Sequence, residues 1–156
     1  MQVSARSPLE FRQRRSDDDS FIARLAGRAF SEYDVDAGQN TLRWARAGNT
    51  WLAWRADRPV AFAICRLEGA GAELAAIAVE ESARGSGVGS ALLAHLEGEL
   101  GSVGMRELTL HTAHANLSAL ELFLKRGYRI ERRLPRYYRG VFDACALRKA
   151  LRSARG

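Results

Sequence analysis

The sequence predicts a mixed α/β fold (α+β in its antiparallel half), one central sheet of six to seven strands with helices on both faces. Three observations carry this expectation. Two apolar runs, residues 50–54 and 60–65, meet at Asp57-Arg58-Pro59, the punctuation of an antiparallel hairpin. Residues 73–79, a stretch with Val88, Leu92 and Leu96 on one helical face, and residues 107–112 then follow as strand, helix and strand, a crossover that makes the two strands parallel. No repeat or low-complexity linker divides the chain, so residues 1–156 are expected to form one domain.

The elements follow in order. Residues 11–15 read as a short strand. Ser16, Asp17, Asp18 and Asp19 supply a cap and acids suited to a helix start, and Phe21, Leu25, Ala29 and Phe30 share that helix's apolar face. A weaker helix spans 39–47, and the hairpin strands 50–54 and 60–65 come next. Beyond the Gly69-Ala70-Gly71 break lies strand 73–79, then a glycine-rich turn at 84–89 and the crossover helix. After strand 107–112, Asn116 caps a helix bearing Leu117, Leu120 and Leu124, which Gly127 ends. Residues 128–133 and 142–148 are the last two strands.

Composition narrows the function classes. With 47% hydrophobic and 27% charged residues the 156-residue chain is globular rather than disordered. Its longest apolar runs are broken by Arg, Glu or Gly, so no membrane partner is expected. The N-terminal stretch MQVSARSPLEFRQRR lacks the apolar segment of a secretory leader. Cys65 and Cys145 are too few for a disulfide framework or a four-ligand zinc site; the expectations are a reducing cytoplasm and no metal. All but two of the 24 basic residues are arginine, and the abundance of Ala and Arg suits a GC-rich bacterial genome. Residues 125–156 hold eleven basic and two acidic residues, +9, which leaves −3 for residues 1–124 of a chain with net charge +6. A solvated basic face is the plain reading, and an anionic partner the sharper one.

The stretch Ile77-Ala78-Val79-Glu80-Glu81-Ser82-Ala83-Arg84-Gly85-Ser86-Gly87-Val88-Gly89-Ser90 carries the functional signal. A strand ends, three glycines turn the chain, and a helix begins. Glycines let backbone approach a ligand and aim successive N–H groups at it, while the helix N-terminus adds positive potential for an anion. A nucleoside-triphosphate loop requires Gly-Lys-Ser/Thr, and no lysine is here. A dinucleotide turn requires Gly-x-Gly-x-x-Gly, and position 90 is serine.

A third pattern, Arg-x-x-Gly-x-Gly after a strand (here Arg84, Gly87 and Gly89), resembles the acetyl-coenzyme A pyrophosphate loop of the GNAT superfamily of N-acetyltransferases. The resemblance covers roughly residues 9–150. Pro59-Val60-Ala61-Phe62-Ala63-Ile64 looks like that family's third strand, and Asn116, Ala119, Phe123, Gly127 and Tyr128 look like its second motif. Tyr137-Tyr138 and Asp143-Ala144 are similar to the ribosomal-protein-alanine and related protein N-terminal acetyltransferases. The resemblance implies a GNAT-type sheet splayed at the coenzyme-binding strand. It implies pantetheine on the backbone of Ile77, Ala78 and Val79. The pyrophosphate would lie on the N–H groups of Gly85, Ser86, Gly87, Val88, Gly89 and Ser90, with Arg84 at the mouth. Asn116 would contact the coenzyme as well as cap its helix. The implied partners are acetyl-coenzyme A and an amine acceptor, a peptide N-terminus or a small amine such as a polyamine or aminoglycoside. A homodimer is left open, and no nucleic acid is expected. The rival from another class is a weakly catalytic coenzyme-binding or RNA-associated module.

Acetyl transfer needs a neutral amine and a protonated leaving thiolate. His111 stands where the alanine acetyltransferases have a glutamate base and a related N-terminal acetyltransferase has a histidine. Strand alternation puts it with Glu107 and Thr109, away from Leu108 and Leu110. As a residue type, histidine titrates nearer an α-amine (about 7.7–8.0) than a lysine (about 10.4). Glu73 is the second candidate, expected on one face with Ala75 and Ile77, where the histidine-bearing relative has a catalytic tyrosine; a solvated strand end is the alternative. His114 carries little weight. At Phe123 the family usually has the tyrosine that protonates the thiolate, and phenylalanine cannot donate. Water, or another hydroxyl such as Tyr138, is then the proton source, or the chain binds coenzyme and catalyses poorly.

Overall fold

The structure is a computed structural model that describes residues 7–152. The first six residues of the N-terminal stretch and Arg155 of the basic tail lie outside the described residues. Seven strands, β1 (Leu9–Gln13), β2 (Asn49–Arg55), β3 (Arg58–Glu68), β4 (Gly71–Val79), β5 (Glu107–Ala113), β6 (Arg129–Tyr138) and β7 (Phe142–Ala150), form one sheet in the order β1-β2-β3-β4-β5-β7-β6. Only β4 and β5 pair in parallel; their connection is the helix α3 (Val88–Ser102). The hairpin turn between β2 and β3 falls at Ala56, whose φ of 55° is left-handed, one residue ahead of the expected Asp57-Arg58-Pro59.

Two apolar cores flank the sheet. One joins Leu92, Leu93, Leu96 and Leu100 of α3 and Leu120 and Phe123 of α4 (Leu117–Lys125) to Ala53, Ala61, Leu74, Leu108 and Leu147. The other joins Phe21, Ile22 and Leu25 of α1 (Asp19–Phe30) and Ala45 of α2 (Ala37–Ala47) to Leu52, Phe62, Ile64, Ala76 and Ala78. Alternate residues of β2 and β3 thus feed opposite cores, which is how a sheet covered on both faces buries nearly continuous apolar runs.

Strands β2 to β7 run longer than the sequence suggests, while β1 keeps its expected length but starts at Leu9, two residues before the expected 11–15. β6 continues through Tyr137 and Tyr138 by means of irregular register between Leu134 and Tyr138, with Arg136 left-handed at φ 53°. Side chains on β6 are mostly exposed, and its arginines Arg129, Arg132, Arg133 and Arg136 stud an edge strand, a placement that discourages strand addition. Within the α3 core, Glu97 is 9% exposed and accepts from Arg126 Nη2 (2.6 Å), the Tyr128 hydroxyl (2.8 Å) and Lys149 Nζ (2.9 Å), which ties α3 to the end of α4 and to β7. No helix among the described residues is long and apolar enough to cross a membrane.

Candidate active site

The site begins with a break in the sheet. β4 and β5 pair from Gly71↔Glu107 to Leu74↔Leu110 and no further, although β4 runs on to Val79 and β5 to Ala113. A bulge sits at the break: Cys65 pairs with Leu74 and Ile64 with Ala76, so Ala75 is an extra residue on β4. It releases the β5-facing edge of β4 and reverses the side-chain faces. Leu74 belongs to the α3 core, whereas Ala76 and Ala78 belong to the α1–α2 core. Strict alternation would keep Glu73, Ala75 and Ile77 on one face; the bulge instead turns Ile77 and Val79 toward the α3 core. A cleft of about 480 Å³ opens at this divergence.

One end of the region is built from backbone. Gly87 caps α3 without a side-chain hydrogen bond and has φ 83°; Gly85 has φ 75°. A Cβ on either would meet no protein atom within 4 Å, so these glycines serve the left-handed turn and an open approach rather than packing. Gly89 differs: its Cβ would lie 3.4 Å from Leu122 and 3.5 Å from Val79, the close fit of helix on strand. The N–H groups of residues 85–90 find no acceptor among the described residues, and those of residues 88–90 open the positive end of a 15-residue helix. Arg84 is exposed and its Nε donates to the Val79 carbonyl at 3.2 Å. The Ser86 hydroxyl donates to the Ala83 carbonyl at 2.5 Å. Three N–H groups or more beside a cation can hold a pyrophosphate; the residues fit that group.

Asn116 and Phe123 line the cleft on the α4 side. The Asn116 amide oxygen accepts from Ala119 N (3.2 Å) and caps α4, leaving its NH₂ to donate elsewhere. Phe123 is buried at 3% exposure, edge-on to Tyr128 at 5.6 Å.

The other end is built from side chains. His111, Glu73, Tyr137 and Tyr138 all line the cleft. His111 Nδ1 lies 3.4 Å from the Tyr137 hydroxyl, with the rings 5.0 Å apart. Glu73 is ion-paired to Arg66, its cross-strand partner on β3. That pairing engages the carboxylate, whereas the His111 imidazole is in no ion pair among the described residues. Tyr138 packs on Tyr137 (4.9 Å) and Tyr33 (5.3 Å); burial first, then these two neighbours, holds its phenol above the ordinary range, so it stays protonated and can donate. Burial also raises Tyr33, with Glu32 adding to it.

Several cleft residues escape sequence reading. Tyr33 and Asp34, in the connection from α1 to α2, complete this end of the cleft, and Trp44 of α2 and Arg66 of β3 wall it. Asp34 accepts from Asn40 Nδ2 and its own turn's Asp36 N–H, both at 2.9 Å. The Arg139 guanidinium donates to the Glu32 carbonyl at 3.1 Å and so latches the β6–β7 hairpin to that connection. His114 is not part of the cleft; its Nδ1 lies 3.5 Å from the buried Cys145 sulfur. No metal-binding cluster is found among the described residues.

Comparison with known proteins places this geometry among relatives. The model of the Acetyltransferase (GNAT) family matches residues 18–128. An uncharacterized N-acetyltransferase of Methanocaldococcus jannaschii is 26% identical over 146 residues, covering 83% of this chain and 94% of that protein. The ribosomal-protein-S18-alanine N-acetyltransferase from Escherichia coli shares the fold at a TM-score of 0.82 and 23% identity, over 94% of this chain and 96% of that one. The NatC complex bound to Gag peptide and CoA contains a chain of the same fold, TM-score 0.77 at 22% identity, over 92% of this chain and 98% of its own.

Proposed function

The chain belongs to the acetyltransferase (GNAT) family, and from that premise we propose that it moves an acetyl group from acetyl-coenzyme A to the N-terminal amine of a peptide or protein. The observation that carries this reading is the cleft through the splayed sheet: Asn116 and Phe123 line it on the α4 side, and His111, Tyr137 and Tyr138 line it on the other. The acceptor class rests on the Tyr137-Tyr138 pair and on carboxylates, Glu73 and Asp34, that line the same cleft.

Acetyl-coenzyme A supplies the activated acetyl group as a thioester. The N–H groups of residues 85–90 and the α3 N-terminus receive its pyrophosphate, and the released edge of β4 at Ile77, Ala78 and Val79 offers backbone groups to its amides. His111 takes the proton from the attacking amine, directly or through one water. The Tyr137 hydroxyl beside Nδ1 fixes the imidazole's orientation and leaves Nε2 to act. Phe123 cannot protonate the departing thiolate; the proton comes from water or from the Tyr138 hydroxyl, which lines the same cleft.

The test is a substrate panel. Protein and acetyl-coenzyme A are incubated with peptides of varied first residue, with polyamines and with aminoglycosides, and free thiol is followed. Thiol release driven by peptides, with the acetyl group found on the N-terminal amine, supports the reading. Release driven only by polyamines or aminoglycosides transfers the function to small amines, and tight coenzyme binding without release from any amine contradicts it.

A further inference from the structure

Arg55 is the last residue of β2 and lies on the same sheet face as Ala53, beneath the start of α3. It is only 6% exposed. Its Nε donates to the Ser7 carbonyl and its Nη1 to the Ser86 hydroxyl, both at 3.3 Å. Both acceptors are neutral, and no carboxylate among the described residues lies within ion-pair distance of it. A guanidinium removed from water without a counter-charge is costly, so its retention asks for an explanation. Glu97, buried almost as deeply, shows the contrast: two cations and a hydroxyl converge on it.

The direction in which Arg55 points supplies the explanation. Ser86 sits between Gly85 and Gly87, the two left-handed glycines of the turn. Its hydroxyl donates to the Ala83 carbonyl and accepts from Arg55, so Arg55, Ser86 and Ala83 form a chain of hydrogen bonds at the run of open N–H groups. A turn containing three glycines is thereby held by a positively charged side chain.

We propose that Arg55 is a positioning residue for the coenzyme's phosphates: it holds Ser86, and with it the N–H groups of residues 85–90, in the arrangement that receives a pyrophosphate, and the bound anion is the counter-charge that the protein itself does not provide. The idea rests on the coenzyme reading given above. It assigns to Arg55 a role that lies outside the glycine turn in sequence, 31 residues ahead of Ser86.

The experiment compares two acetyl donors, acetyl-coenzyme A and S-acetylpantetheine, which keeps the thioester and the amide arm but has no phosphate. Arg55→Met should raise the KM and the dissociation constant for acetyl-coenzyme A by roughly 10-fold, the scale of one charge-assisted hydrogen bond, and leave kcat/KM for S-acetylpantetheine within about twofold. Arg55→Lys should recover part of the loss. Ser86→Ala keeps the charge and removes the link, and should weaken acetyl-coenzyme A alone by about threefold; it serves also if the methionine variant does not fold. Equal losses with both donors would mean that Arg55 merely supports the fold, and unchanged affinity in Arg55→Met or Ser86→Ala would remove its role altogether. Those results leave the coenzyme reading standing. A wild-type protein that binds neither donor would overturn both.

Discussion

The glycine turn ahead of α3 and the cleft between β4 and β5 are made of different material. At the turn, the proposed coenzyme end, the groups on offer are N–H groups and a strand edge, and Gly85 and Gly87 set the left-handed backbone. At the acceptor end the working groups are His111, Tyr33, Tyr137, Tyr138 and the Glu73–Arg66 pair, brought from four strands and a helix connection. A backbone-built surface suits a ligand that is always the same. A side-chain-built one can be altered residue by residue without disturbing the helix or the sheet, which suits a variable acceptor.

Substitutions at the two ends should therefore fail in different ways. The largest effect is expected at the acceptor end. His111→Ala should lower kcat by roughly 10²–10³ with acetyl-coenzyme A affinity unchanged. Wild-type turnover in the variant at pH 7 would return Glu73 to consideration, and Glu73→Gln would then be the informative change. At the coenzyme end the signature is reversed. Gly87→Val places a β-branched residue at φ 83° and a side chain in the phosphate approach, and calorimetry should show affinity for acetyl-coenzyme A reduced by at least about tenfold with the fold retained. Unchanged affinity would sink the assignment of the turn.

Smaller changes sharpen the boundary between the ends. Tyr138→Phe should lower kcat by about tenfold if this phenol protonates the thiolate. Since burial and its aromatic neighbours hold the phenol above its ordinary range, wild-type kcat should show no alkaline loss from Tyr138 up to a pH of about 10. A loss below that pH would remove it as the donor. Phe123→Tyr is expected to give a gain of about threefold, small because water and Tyr138 already serve. A loss instead would show the new hydroxyl buried unpaired against Tyr128, at a cost of about 1–3 kcal/mol.

The same difference in material explains what could be read from the sequence. The coenzyme end is contiguous: strand, three glycines and helix lie within residues 74–93, and Asn116 announces itself as a cap. The order of strands and helices was legible for the same reason, since each is set by local periodicity. The acceptor end was legible only in part. His111, Tyr137 and Tyr138 could be named, but Tyr33 and Asp34 reach the cleft through the folded sheet and the latch from Arg139 to Glu32. The bulge at Ala75 leaves no mark, because Leu-Ala-Ala-Ile-Ala contains neither glycine nor proline, and it is what upset the expected face of Ile77. Arg66 and Arg55 were two arginines among many. Only the fold shows that one neutralises Glu73 and that the other is buried beneath the turn.

On the proposed reading the glycine turn receives phosphates on backbone, and the cleft between β4 and β5 presents an amine to His111. A crystal structure with a conjugate joining coenzyme A to a peptide's N-terminal amine tests it most directly. The account expects the pyrophosphate on the N–H groups of residues 85–90, the linking arm between β4 and β5, and the amine nitrogen within hydrogen-bond reach of His111 Nε2, directly or across one water. An amine lying on the far side of the sheet from His111, or phosphates bound away from the glycine turn, would contradict it.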